Sequence, residues 1–176
     1  MEGADRLPPS LQSSVAAPRV ALADDTASCQ KITKHAAHAN EEAVMVAIPA
    51  EHLDLLQQMI TFALLATIMK DGSPQVTPVW FDYTDGKIRI NSAKGRVKTR
   101  NMQEGSPVAL SILDPENAYR YIQIRGRVSR VTEVGASAHI DALAKKYLGK
   151  DKYPFSQPGE VRVTFEIEPA SAQVMG

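Results

Sequence analysis

The densest chemistry in the chain lies between Lys87 and Met102, which reads KIRINSAKGRVKTRNM. Lys94, Arg96, Lys98 and Arg100 place a cation at every second position. Ahead of them, Lys87 to Asn91 alternates polar and apolar residues, which predicts a strand. After Ser92-Ala93-Lys94-Gly95 the pattern becomes helical from about Arg96. Residues four apart share a helix face, so Lys94 would stand over Lys98 and Arg96 over Arg100. A helix start adds unpaired N–H groups and the positive end of the dipole. Strand, glycine turn and basic helix start together make a site for an anion, most simply a phosphate. A solvated basic face would carry the same residues, and the local pattern leaves both readings open.

Such a site needs walls, and the neighbouring segments supply them. Phe62 to Ile68 reads as a buried strand, and Lys70-Asp71-Gly72-Ser73 as a hairpin turn, Asp-Gly being the strongest short signal for one. Gln75 to Tyr83 (QVTPVWFDY) is the return strand. Pro78 within it cannot donate to a ladder, which places it at a bulge or an edge. A bulge there frees backbone groups of Thr77 and Val79, and a planar ring with edge donors and acceptors fits that place. A plain edge strand accounts for Pro78 equally well. Thr84-Asp85-Gly86 turns the chain into the strand at Lys87, giving an antiparallel meander.

The remaining elements follow in order. Ile48 to Leu53 opens a helix with Pro49 near its first position; Leu53, Leu55, Leu56 and Met59 form its apolar face, and His52 is expected at the surface. Gly105-Ser106-Pro107 stops the basic helix, and Val108 to Leu113 is a strand. Tyr119 to Val131 is the longest strand signal. Tyr119, Tyr121, Gln123, Arg125 and Arg127 share one face; Ile122, Ile124, Gly126 and Val128 share the other. The first face is too polar for a core yet carries two tyrosines, which suits a subunit interface or ligand wall as well as an exposed strand. Thr132 is the expected N-cap of a helix running to about Tyr147 and closed by Gly149. In the loop from Lys150 to Phe155, Tyr153 and Phe155 beside cations either frame a ligand or pack the loop. Val161 to Glu168 is the last strand. About six antiparallel strands with few short helices predict a mainly β (α+β) barrel, since closure removes exposed edges.

Composition narrows the function. Of 176 residues, Lys and Arg number 20 and Asp and Glu number 20, so the formal net charge is zero. A general nucleic-acid binder relies on excess cations, and none is expected as a partner here. The single cysteine, Cys29, forms no intrachain disulfide, which suits a reducing cytoplasm. No apolar run reaches the length of a membrane span, and the weakly apolar stretch at Ser13 to Ala23 is interrupted by Pro18 and Arg19. Residues 1–45 read as a disordered tail, and residues 46–176 as the folded domain. His35 and His38 in the tail have no third ligand at metal spacing. No Gly-x-Ser-x-Gly, Cys-His pair or metal cluster is found, and His139 reads as a residue of a packing helix. The catalytic residues are unknown at this point, and any redox chemistry belongs to a cofactor.

Taken together, the motifs resemble a family. Leu65-Ala66-Thr67 with Asp71 to Trp80, Asn91-Ser92 with Lys94 to Asn101, and Tyr119-Arg120-Tyr121 with Arg125 to Val128 occur in order. Tyr147-Leu148-Gly149, Lys152 to Phe155 and Pro158 to Arg162 complete the set. From Ile48 to Glu168 the chain resembles the pyridoxamine-phosphate-oxidase-like superfamily of flavin- and deazaflavin-binding split barrels. It is most similar to the reductases that depend on coenzyme F-420. The resemblance implies a six-stranded split barrel of the FMN-binding type. It also implies a cytoplasmic homodimer with cofactor sites at the interface. Coenzyme F-420 is the implied cofactor, with FMN as the alternative and a non-catalytic cofactor-binding protein as a third possibility. Carried over, Lys94, Arg96 and Lys98 contact phosphate, with Asn91 and Ser92 beside them. Gln75, Val76, Thr77, Pro78, Val79 and Trp80 line the ring. Tyr121 and Arg125 come from the partner subunit. The chain ends without the Arg- and Pro-bearing tail of the vitamin B6 oxidases, so the resemblance does not extend to their substrate.

Overall fold

The computed structural model describes residues 46–176. The expected tail over 1–45, with Cys29, His35 and His38, lies outside the described residues. The domain opens with a short turn at Ala50–His52 and a helix α1, Leu53–Gln57. Seven strands follow: β1 Ala63–Ile68, β2 Pro74–Val79, β3 Phe81–Thr84, β4 Lys87–Ala93, β5 Pro107–Leu113, β6 Tyr121–Thr132 and β7 Arg162–Met175. Helix α2, Val97–Asn101, connects β4 to β5, and α3, Ala136–Leu148, connects β6 to β7.

Every strand pairing is antiparallel, and the order is β2-β1-β5-β6-β7-β4-β3. The edges β2 and β3 are separated in the chain by Trp80 alone. One residue spans only about 3.5 Å, so the sheet must curl until its edges meet there. That is a barrel split along one seam. The segment QVTPVWFDY was expected as one strand and is two, which makes seven strands rather than six. The expected meander does not form either, because the β1–β2 and β3–β4 hairpins lie at opposite edges. Pro78 pairs with Leu64 in unbroken register, so it takes an edge position and not a bulge. Tyr147 holds the break: its hydroxyl accepts from the Phe81 N–H at 3.2 Å and donates to the Thr61 carbonyl at 2.8 Å.

The inward faces fill the barrel. Leu65, Phe81, Ile88, Ile90, Leu110, Ile112, Ile122, Ile124, Phe165 and Ile167 are all essentially inaccessible. Each contributes about 1.5–3 kcal/mol of burial. Leu55 and Leu56 of α1 join the same core. The longest ladder pairs β6 with β7, and β7 runs on to Met175 rather than stopping at Glu168. Register shifts at Arg125/Gly126 and Val128/Arg130 bend this pair. At Gly126 a Cβ would lie 2.4 Å from the Glu168 carbonyl oxygen, so no larger residue fits the first bend.

Two further expectations change. Thr132 is not the cap of α3; it ends β6, its Oγ1 accepts from the Val134 N–H at 3.1 Å, and Gly135 at φ 74° starts the helix. His52 is not a surface residue. It is buried, with Nε2 3.2 Å from the Met175 carbonyl, and so ties α1 to the end of β7.

Candidate functional site

At the seam, β2, β4, the start of α2 and the start of β7 surround a cavity of about 190 Å³. Pro78, Val79, Trp80, Asn91, Arg96 and Lys98, all expected at the site, line it together. Phe62, Ile140, Tyr153, Phe155 and Arg162 complete the wall.

The charges in this cavity are unequal. Arg96 directly precedes α2, Lys98 lies in its first turn and Arg162 opens β7. The acid among them is Glu160. Arg162 Nη1 donates to its Oε1 at 2.7 Å, and Arg96 Nη2 lies 3.7 Å from its Oε2. Arg96 and Arg162 therefore share one carboxylate, while Lys98, on the same cavity wall, has no ion pair among the described residues. Burial holds the Lys98 ammonium below its usual pKa, and the neighbouring Arg96 and Arg162 push the same way. An anion placed among these groups would relieve that repulsion.

Arg162 is fixed before any ligand arrives. It is 7 % exposed; its Nε donates to Asn91 Oδ1 at 2.9 Å, and its guanidinium carbon lies 4.7 Å from the centre of the Tyr153 ring. The aromatic wall is equally ordered. Trp80 stacks on Tyr147 at 5.0 Å and 5° between planes, and meets Tyr153 edge-on at 5.8 Å. Tyr153 in turn meets Phe155 edge-on at 5.6 Å. Burial pushes the Tyr147 hydroxyl up to about 12, so it stays a neutral donor at ordinary pH.

Behind Asn91 lies a polar layer. Asn91 Nδ2 donates to the Ala136 carbonyl at 2.8 Å and lies 3.4 Å from Thr164 Oγ1. That hydroxyl is 3.0 Å from Nδ1 of His139. His139 Nε2 is 3.3 Å from Asp82 Oδ2, close enough for an ion pair but outside hydrogen-bond geometry. Asp82 accepts two bonds from Arg89, at 2.7 and 2.8 Å. Burial would raise the Asp82 pKa, but His139 and Arg89 overcome it and hold the carboxylate below its usual range.

Other expected residues lie elsewhere. Lys94 precedes α2, pairs with Glu133 and lines a separate cavity with Met102 and Gln103. Because the helix begins only at Val97, the two expected basic stripes do not form. Ser92 is buried and its Oγ accepts from Thr99 at 2.9 Å, anchoring α2 to β4. Gln75 accepts from Thr67 at 3.0 Å, Val76 is 58 % exposed on the outer face, and Thr77 Oγ1 is buried with no partner among the described residues. Tyr121 and Arg125 lie on β6, three strands from β2. Arg125 lines a larger outer cavity of about 500 Å³, where its Nε donates to Ser171 at 3.0 Å.

Arg162 was absent from the expected site, and Tyr153 and Phe155, for which ligand framing and loop packing were both open, line the cavity. The aromatics stood beside cations in the sequence, and Arg162 stood two residues from Glu160, but an alternating strand reads such an arginine as outward and solvated.

Residues 48–176 match the family described as pyridoxamine 5'-phosphate oxidase. No curated protein matches the sequence. Among solved structures, one described as an F420 reductase is 29% identical, with a TM-score of 0.59, covering 68% of this chain and 94% of that one. A conserved hypothetical protein from Mycobacterium tuberculosis is 21% identical, with a TM-score of 0.56, covering 76% and 87%. An FAD- and heme-binding protein from Mycobacterium smegmatis is 21% identical, with a TM-score of 0.50, covering 74% and 68%. The last two likenesses are of fold.

Proposed function

The chain belongs to the pyridoxamine 5'-phosphate oxidase family, and on that premise we propose that it is an oxidoreductase that binds coenzyme F-420 between two copies of the barrel. Its substrate is a small unsaturated or conjugated molecule. The observation that carries the reading is the cavity lined by Arg96, Lys98 and Arg162, in which Arg96 and Arg162 share the carboxylate of Glu160 and Lys98 has no ion pair among the described residues. The 29% identity to an F420 reductase favours the deazaflavin.

When bound, a deazaflavin would supply the hydride chemistry. Arg96, Lys98 and Arg162 would hold the phosphate of the cofactor by charge-assisted bonds. The open edge of β2, from Gln75 to Val79, would offer backbone donors and acceptors to the ring, and the hydroxyl of Thr77, without a partner among the described residues, lies on the same strand. Trp80 borders the ring site and is kept in place by Tyr147. Most of the rate then comes from proximity and orientation.

The outer face supports a second copy. Leu64, Ile68 and Val76 expose 41%, 47% and 58% of their surface on adjoining strands. An apolar row of this kind marks an association face. On this reading a second barrel packed here would contribute Tyr121 and Arg125 to the site, as the family resemblance implies. Leu64→Glu is expected to convert dimer to monomer in sedimentation.

FMN is the second reading. Three cations less one carboxylate leave two positive charges, which match a phosphate monoester dianion. The deciding experiment is a fluorescence titration of the purified protein with coenzyme F-420 and with FMN. Tighter binding of coenzyme F-420, followed by oxidation of its reduced form with enones or quinones, is expected. Tight FMN binding with no deazaflavin binding would transfer the site to the flavin. Binding without turnover on any acceptor would make the protein a cofactor carrier.

A further inference from the structure

Asn91 stands at the anion site, yet its side chain is already committed. A carboxamide has two N–H donors and an oxygen acceptor. The oxygen takes the Arg162 Nε–H at 2.9 Å. The nitrogen donates to the Ala136 carbonyl at 2.8 Å and faces Thr164 Oγ1 at 3.4 Å and His139 Nδ1 at 3.5 Å. A flipped amide would set N–H against N–H at Arg162 and oxygen against oxygen at Ala136, so this network permits one orientation.

Arg162 is held at three places. Asn91 takes Nε, Glu160 takes Nη1 at 2.7 Å, and Tyr153 lies against the guanidinium plane at 4.7 Å. A guanidinium fixed in this way loses little freedom when it binds an anion.

We propose that Asn91 is a positioning residue for Arg162 and not a ligand contact: it aims the guanidinium, and its influence on the cofactor passes through that group. The proposal rests on the reading of this cavity as the phosphate site. Without Asn91, a buried Nε–H loses its acceptor, and Arg162 turns to recover one.

The test is a double-mutant cycle of Asn91→Ala, Arg162→Ala and the pair, each titrated with coenzyme F-420 and with FMN, with a thermal melt for each protein. Asn91→Ala alone is expected to weaken binding about tenfold, and to change it less than about twofold once Arg162 is alanine. Equal losses in both backgrounds would make Asn91 a direct contact and overturn the proposal. So would no loss in either background while Arg162→Ala still weakens binding. Unchanged binding in Arg162→Ala would instead remove the phosphate reading, and the proposal with it. Should Asn91→Ala fail to fold, Asn91→Val suits a strand and removes the same groups. A readout free of ligand is the Arg162 Nε–H in NMR. It should exchange slowly with solvent in the parent protein and rapidly in the Asn91 variant, and equal exchange in both would also overturn the assignment.

Discussion

Two arginine clusters in this domain have opposite stoichiometry. Arg120 Nη2 donates to Asp54 Oδ1 and to the Glu51 carbonyl, both at 2.7 Å, and Nη1 donates to Asp114 Oδ2 at 3.0 Å. One cation is shared by two carboxylates, and the cluster ties α1 to the loop before β6. The bond from Arg120 lowers the Asp54 pKa, and the Glu116 N–H and then Arg120 lower that of Asp114. Around Arg162 the ratio is reversed: Arg96 and Arg162 pair with the one carboxylate of Glu160, and Lys98 lines the same cavity with no ion pair among the described residues. There the shifted group is a lysine held below its usual value. A cluster in which carboxylates outnumber the cation ties elements of the fold together; a cluster with cations in excess stores repulsion that an anion can remove. The excess over pairing, not the number of cations, marks the binding site.

The largest effect expected from this contrast follows from Lys98→Met. Loss of one charge-assisted bond to the cofactor phosphate weakens affinity about 30-fold or more, measured by titration. Stability moves the other way. A lysine whose pKa is depressed by folding costs stability while it is charged, and the cost fades as pH rises through the depressed value. The methionine variant, free of that cost, should melt slightly higher than the parent without ligand. A variant that binds poorly and also melts lower would show the two clusters to be alike.

Arg120→Ala should do the reverse: melt lower with cofactor affinity nearly unchanged. Its pH dependence has a definite sign. Asp54 and Asp114 have pKa values below the ordinary 3.8 in the folded protein. Their contribution is present above 3.8 and is lost as pH falls through the lower folded values. The alanine variant should lose less stability over that acid range in urea titrations at a series of pH values. A smaller effect belongs to the site itself. Affinity for the cofactor should begin to fall below pH 10.5, as Lys98 loses its proton at a depressed value. This alkaline limb should be missing in Lys98→Met.

Much of the barrel was legible in the chain. The turns at Asp71-Gly72 and Asp85-Gly86 and the alternation of β4, β5 and β6 follow local rules, and β6 presents the two faces its pattern gives. The seam was not legible. Alternation says which residues share a face, but nothing local says that Gln75 to Tyr83 must serve both edges of one sheet. That break needs the Tyr147 hydroxyl, which arrives from a helix far along the chain. Arg162 escaped for a related reason. The first four residues of β7 are buried on both faces, so alternation fails where a buried arginine enters the site. His52 was misplaced because its partner, the Met175 carbonyl, lies on a strand extension that the sequence pattern did not show.

The smallest expected effect is the sharpest test of pairing against sequence position. Lys94 belongs to the same alternating run as Arg96 and Lys98, yet it pairs with Glu133 and borders a different cavity. Both members of that pair are about half exposed, and such pairs contribute at most about 1 kcal/mol. Helix spacing does not bring Lys94 over Lys98, because Gly95 and Arg96 are still outside α2. Lys94→Ala should therefore change cofactor affinity less than about twofold, a long-range screened contribution only. Glu133→Gln, which leaves Lys94 without its partner, should change it as little. If either substitution altered affinity tenfold, Lys94 would have to reach the phosphate in the bound state. The alternating run, rather than charge left over from pairing, would then define the site.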